Sequence, residues 1–333
     1  AFYAHVGKRG ETYQIGQQLV ATDFDFFGGS DFTTPANPDG GADLYQQARD
    51  KGYCITRSYK EYQKRSKKAD KMILLQSEEA SKVDRGGIPY ALDRQEGDLT
   101  LPDITRAAIN FLTKKQGGKD GFFLMVEGGK IDWLCHANDV AFIPELIEMD
   151  DAVKVAYEFY QQHPDETLIV VTADHETGGL VLGRGGYQLN LQAVANQRMS
   201  ISRLGTELHK LHDKYGDKYD WEVAKAFLTD NFGFWDKVQL SDDQTARLQR
   251  SFQRVLEGKG VDAKSLYQKD SEFAGTVKRV MSECAHLTWG TGGHSNGYVP
   301  CFSIGVGAEQ LQGRLDNTEL PLRMAKAAGW QVR

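Results

Sequence analysis

Along the chain, short apolar runs bounded by polar turns alternate with stretches in which apolar residues recur every three or four positions. The run Leu168-Ile169-Val170-Val171 is continuous and rich in β-branched residues, as expected of a strand buried on both faces. Gly121-Phe122-Phe123-Leu124-Met125-Val126 predicts a second strand, leading to Glu127. Between them, Pro144 to Tyr160 sets Leu146, Met149, Val153, Ala156 and Tyr160 at helical spacing, with Glu145, Glu148 and Asp150 toward the start. Strand, helix, strand favours a parallel sheet with helices on its faces, and in such sheets ligands bind beyond the carboxyl ends of the strands. Glu127 and Asp174 stand at those positions. Residues 187–287 are polar and predict mostly helix. Ser241 followed by Asp242 and Asp243 starts a helix that carries Leu248, Phe252 and Val255 and ends near Gly258. Strand-like composition returns from Val299 to Val306. With no repeat and no linker, the reading is one domain over 1–333, with a mostly helical insertion at 187–287 that covers the core sheet.

Composition narrows the class. A chain of 333 residues, 40% hydrophobic and 26% charged, can bury a substantial core, and its longest apolar runs fall far short of a bilayer crossing. The formal net charge of -6 supplies no general attraction to nucleic acid or to anionic membranes. An anionic substrate therefore needs local positive charge, which bound divalent cations provide. Cys54, Cys135, Cys284 and Cys301 form no CxxC pair, so neither a zinc ribbon nor a thioredoxin-type motif is indicated.

Three segments carry candidate chemistry. In Glu127-Gly128-Gly129-Lys130-Ile131-Asp132-Trp133-Leu134-Cys135-His136, a helix starting near Ile131 puts Asp132 and His136 four residues apart on one face, close enough to grip one ion. Glu127, back at the strand end, suits a separate ion. Read alone, Asp132 is equally a helix cap and His136 a surface histidine. Thr172-Ala173-Asp174-His175-Glu176-Thr177-Gly178-Gly179 follows a strand directly, where a corner turns Asp174 and His175 onto one ion. Thr291-Gly292-Gly293-His294 presents a histidine on a glycine-rich loop. Zinc takes nitrogen and carboxylate oxygen donors, commonly three from protein in a catalytic site, and Asp132, His136 and His294 make one such set. Cys135 lies off the Asp132/His136 face and reads as a buried structural thiol. His209 and His212 read as a solvated face, and Asp270-Ser271-Glu272 as a surface helix start rather than a nucleophile.

E-G-G-K-I-D-x-x-x-H, T-A-D-H-E-T-G-G and T-G-G-H, in this order, resemble the metal-binding segments of the alkaline phosphatase family, bacterial type, over nearly the whole chain. The resemblance implies a three-layer αβα fold with a central, mostly parallel sheet. It implies a first Zn²⁺ on Asp132, His136 and His294, a second Zn²⁺ on Asp174 and His175, and Mg²⁺ on Glu127. Ala4-His5-Val6-Gly7-Lys8-Arg9 resembles the family's helix ending in its phosphate-binding arginine, which makes Arg9 the candidate for that role and leaves His5 structural. A guanidinium pairs with two phosphate oxygens at once. Trp133 departs from relatives that carry Lys or His there, and an indole cannot ligate metal. The family's serine nucleophile precedes this arginine and is expected before Ala1. The expectation is thus a fragment, inactive by itself, of a metal-dependent phosphomonoesterase that works through a phosphoserine. Such a fragment would bind zinc at the first site, more weakly at the second, and hardly any magnesium. The resemblance implies small phosphate monoesters and inorganic phosphate as ligands, a homodimer, and periplasmic or secreted location. A noncatalytic zinc- or phosphate-binding module and a phosphodiesterase or sulfatase relative are the alternatives.

Overall fold

The computed structural model describes residues 2–115, 121–264 and 269–331. Helix and strand alternate from Thr12 to Lys114: α1 (Thr12–Ala21), β1 (Phe26–Gly29), α2 (Leu44–Asp50), β2 (Tyr53–Thr56), α3 (Tyr59–Arg65), β3 (Lys71–Leu75), α4 (Glu78–Val83) and α5 (Leu101–Lys114). The strands form a parallel sheet in the order β1-β3-β2, with Phe26 and Cys54 both opposite Met72. Successive side chains of β3 point to opposite faces. Ile73 and Leu75 pack with Tyr13 and Val20 of α1 and with Leu44 and Ala48 of α2. Met72 and Leu74 pack with Tyr62 of α3 and with Ile104, Ala107 and Phe111 of α5. Helices thus cover both faces, as a parallel sheet requires, and the α/β class expected from the sequence is present in three layers. Strand β1 lies against α5 because Gly28 has no side chain: a Cβ there would sit 2.5 Å from Ile104 Cγ2.

A buried carboxylate closes the carboxyl end of this sheet. The Asp31 side chain, 1% exposed, accepts from Arg57 at 3.0 Å and from the Tyr45 hydroxyl at 2.6 Å, and lies 3.5 Å from Arg85. Burial pushes its pKa up, but the Tyr45 and Arg57 hydrogen bonds outweigh that and hold it below the ordinary value. A depressed folded pKa contributes stability that is present above the unfolded value of about 4 and is lost as pH falls through the folded one. Asp31→Asn is therefore expected to cost about 1–3 kcal/mol at neutral pH, with a deficit that shrinks below about pH 4. Urea unfolding midpoints at the two pH values check this.

This first unit comprises Ala1–Gly128 and Glu148–Gln162. In it Glu148, buried, accepts from Arg94 and from the Leu101 backbone N–H at 2.6 Å each, the latter at the start of α5. Two sequence expectations fail here. Residues 121–126 alternate exposed and half-buried positions as an extended chain does, yet among the described residues they join no ladder. A local apolar run can specify extended backbone, but the pairing partner is a tertiary matter. Ala4–Arg9 is not helical; α1 begins only at Thr12. Gly7 and Gly10, costly in a helix, flank the basic pair.

The second unit comprises Gly129–Ile147 and His163–Arg333. It holds α6 (Gly129–His136), the start of α7 (Phe142–Gln162), β4 (Leu168–Val171), β5 (Leu180–Leu182), α8 (Leu191–Val194), α9 (Ile201–Tyr215), α10 (Trp221–Phe232), α11 (Asp242–Leu256), β6 (Ala263–Lys264), β7 (Lys269–Asp270), α12 (Glu272–Cys284), β8 (Leu287–Trp289), β9 (Phe302–Gly305) and α13 (Glu319–Ala327). Strand β4 forms where expected but pairs antiparallel with β9, Leu168 opposite Gly305 and Val171 opposite Phe302. The parallel partner expected at 121–126 is not built into a ladder. Strands β5 and β8 are also antiparallel. Residues 187–287 are mostly helical. Ser241 starts α11 with a capping box shared with Gln244, and Leu248 and Phe252 bury its apolar face. Phe252 stacks edge-on against Phe273 of α12 and Trp221 of α10, at 5.3 and 5.8 Å between centroids. His209 and His212 are exposed on α9. Ser271 caps α12, while Asp270 is buried and paired with Lys278 at 2.6 Å, so that stretch is less superficial than expected. No described helix is long and apolar enough to cross a membrane.

Candidate metal centre

Helix α6 buries Leu134 completely and Cys135 and His136 nearly so, which turns Asp132 and His136 to one side. His136 Nε2 lies 3.2 Å from Asp132 Oδ1. On the other edge of the ring, Nδ1 sits 2.8 Å from the carbonyl oxygen of Gly292. A carbonyl only accepts, so Nδ1 is the donor in that contact and Nε2 is the ring atom that faces the carboxylate. A carboxylate oxygen and an imidazole nitrogen at that distance are joined by a proton or by a metal ion held between them.

The loop after β4 repeats the arrangement. His175 Nε2 lies 3.3 Å from Asp174 Oδ2, while Nδ1 faces the Glu176 carbonyl and the Thr177 hydroxyl at 3.2 Å each. That hydroxyl donates to Asp132 Oδ1 at 2.8 Å, which leaves its oxygen to accept from His175. The His294 ring stacks on His175 at 3.7 Å between centroids and lies 5.2 Å from His136. One donor atom each from Asp132, His175 and His294 lies within 4.8 Å of the others. Nitrogen and carboxylate oxygen donors with carbonyls behind the imidazoles are the chemistry that zinc takes, so these residues fit the ion. This triad draws Asp132 and His294 from one expected zinc set and His175 from the other. Glu127 and Arg9, both exposed, belong to the first unit.

Backbone contacts lock the three segments. Gly178 O accepts from Gly290 N at 2.9 Å and from Thr291 N at 3.1 Å. Asn138, in the left-handed region at φ 54°, follows α6; with its amide nitrogen turned inward it donates to Cys135 O at 2.9 Å and Thr291 O at 3.1 Å. Glu176 accepts from Gly179 N at 2.5 Å and from Ser295 N at 2.9 Å. Asn138, Glu176 and Thr177 are residues that sequence reasoning did not single out. The adjoining E-T in the D-H-E-T-G-G segment was the available signal.

Burial pushes the Cys135 thiol up to about 12, against the hydrogen bond from Trp289, which suits a buried structural thiol rather than a reactive one. Lys130 is buried with Nζ 4.0 Å from the centroid of the Trp133 ring, a cation–π contact at the departing position.

Gly178 has φ +86°, and a Cβ there would sit 2.8 Å from Trp289 Cδ1 and 3.1 Å from Thr291 O. Gly178→Ala is expected to lower stability by about 1–2 kcal/mol from backbone strain alone and to spread the two loops. Denaturant unfolding with and without zinc measures both effects.

A family model described as Alkaline phosphatase matches residues 10–330. Alkaline phosphatase 3 of Bacillus subtilis is 31% identical over 250 residues, 74% of this chain and 48% of that protein. The cold-active alkaline phosphatase of a psychrophilic Shewanella matches in structure with a TM-score of 0.76 and 24% identity, over 98% of this chain and 71% of the other. A mutant of the TAB5 alkaline phosphatase with magnesium bound matches with a TM-score of 0.60 and 22% identity, over 99% and 68%. The chain spans about half the length of the curated relatives it matches.

Proposed function

The chain belongs to the alkaline phosphatase family, and from that premise we propose that it supplies the zinc-binding part of a phosphomonoester hydrolase. The observation that carries the proposal is the convergence of Asp132, His175 and His294 donor atoms within 4.8 Å, with the Nδ1 edges of His136 and His175 turned to backbone carbonyls.

Asp132, His136 and His294 would hold one zinc, Asp174 and His175 a second, and Glu127 a magnesium. When bound, the ions supply positive charge that stabilises a phosphate ester's attacking and leaving oxygens. The chain's own residues do the rest. Asp132 is fixed by the Thr177 hydroxyl, and both imidazoles are fixed by the carbonyls behind them. Arg9 would pair two non-bridging phosphate oxygens. The finer reading is hydrolysis through a phosphoserine, with a nucleophile that we place on none of these 333 residues. We also propose that 187–287 is an insertion within one family domain. The complete enzyme is proposed as an exported homodimer acting on small phosphate monoesters.

Calorimetric titration with zinc at neutral pH, followed by assay on monoester, diester and sulfate substrates, tests this. Zinc binding is expected, and its absence overturns the reading. Binding without release of phosphate from any ester by this chain agrees with the fragment expectation. Preferential cleavage of diesters or sulfates would replace monoesters as the substrate class.

A further inference from the structure

We infer that Glu176 and Thr177, which are not metal ligands in the proposed scheme, are positioning residues that set the zinc affinity of the centre; the inference rests on the metal reading above. Three consecutive side chains of one loop reach three different places. His175 offers its ring to the centre. Glu176 spans to the loop that carries His294: its Oε2 accepts from the backbone N–H of Ser295 at 2.9 Å, while Oε1 accepts from Gly179 N at 2.5 Å and holds the loop's own turn. The fit is close, since a Cβ on Gly297 would lie 3.0 Å from Glu176 Cγ. Thr177 reaches the metal helix, its hydroxyl donating to Asp132 Oδ1 at 2.8 Å, while the Thr177 Oγ1 itself lies 3.2 Å from His175 Nδ1.

The local sequence thus spaces donors that lie 43 and 119 positions away from His175 along the chain. Asp132 sits on a helix and can be aimed by its rotamer, but His294 is exposed on a loop with few side-chain anchors. Without Glu176, its side-chain tie between the two histidine loops is lost. Without the Thr177 hydroxyl, Asp132 Oδ1 loses the donor that orients it, and the Nδ1 edge of His175 loses one acceptor. Groups of this kind typically change metal affinity 10- to 100-fold when removed, because the ligands must then be ordered at the moment of binding.

The test is zinc titration by calorimetry on the whole chain, wild type against Glu176→Ala, Glu176→Gln, Thr177→Val and Thr177→Ser. Glu176→Ala and Thr177→Val are expected to bind about 10- to 100-fold more weakly. Thr177→Ser, which keeps the hydroxyl, should recover most of the loss, and Glu176→Gln, which keeps one acceptor oxygen, should fall between. The visible spectrum of the cobalt-substituted protein reads coordination geometry directly and is expected to change in the two disruptive variants while their metal-free melting stays near wild type. Wild-type affinity in both disruptive variants overturns the inference. So does an affinity loss that only tracks a loss of metal-free stability and is not recovered by Thr177→Ser. A wild-type chain that binds no zinc fails the metal reading itself.

Discussion

His294→Ala is expected to weaken zinc binding by about 10²- to 10³-fold, the largest effect of any single side chain in the centre. Structural zinc sites in small peptides release on the order of 10 kcal/mol on binding; on that scale, shared over three protein donors, one ligand carries about 3–4 kcal/mol, and about 1.4 kcal/mol is tenfold. The ring of His294 lies 3.7 Å from that of His175 and shares a donor triad with Asp132, so its loss opens the site on the loop side. His209→Ala, on the exposed face of α9, is the control and should bind zinc as wild type does. Equal affinity for the two variants would place the zinc elsewhere in the chain.

Asp139→Ala is expected to lower the stability of the unit that carries the centre by about 3–5 kcal/mol. Asp139 is 1% exposed and accepts three hydrogen bonds at 3.0 Å: Ala141 N and the Gln197 amide on Oδ1, and Ile201 N on Oδ2. Ile201 N opens α9, so the carboxylate ties the turn after His136 to a helix N-terminus, where negative charge is favoured. Truncation leaves three buried donors without an acceptor, at about 1–3 kcal/mol each, partly offset because no charge is then buried. Burial drives the Asp139 pKa up against those hydrogen bonds. A raised folded pKa means that its favourable contribution is fully present below the unfolded value and declines as pH rises through the folded one. The deficit of Asp139→Ala should therefore widen on acidification toward pH 4, the opposite sense to Asp31→Asn. Asp139→Asn, which keeps one acceptor oxygen but sets an amide against one of the donors, should cost less than the alanine. Chemical unfolding of the three proteins at pH 7 and pH 5 gives both comparisons, and a deficit for the alanine variant below about 1 kcal/mol would remove Asp139 from any part in holding the centre.

Legibility differed by element for physical reasons. The existence of α7 and β4 was readable from local apolar runs, and α11 from its Ser241 cap, a local hydrogen-bond device; the face was not, since α7 buries Glu145, Glu148, Ala152 and Val155 and leaves Leu146 exposed, and β4 is half-buried throughout. The stretch 121–126 has the same kind of apolar run as β4, but its ladder depends on a partner that local sequence does not name. The antiparallel pairing of β4 with β9 is likewise a choice between strands more than a hundred residues apart. Around Arg9, motif likeness suggested a helix, and the flanking glycines prevailed.

What the amino-acid sequence by itself determined is the donor inventory and its grouping: Asp132 with His136 by helical spacing, Asp174 with His175 at a strand end, and His294 on a glycine-rich loop. Those relations are short-range, and the geometry of one helix turn or one corner enforces them. Only the tertiary structure decided that His175 and Asp132 share a donor triad with His294, and that Glu176, Thr177 and Asn138 tie the three segments together. Those contacts run from side chains to groups on distant segments, most of them backbone N–H and carbonyl groups that every residue possesses, so local spacing does not name the partner in advance.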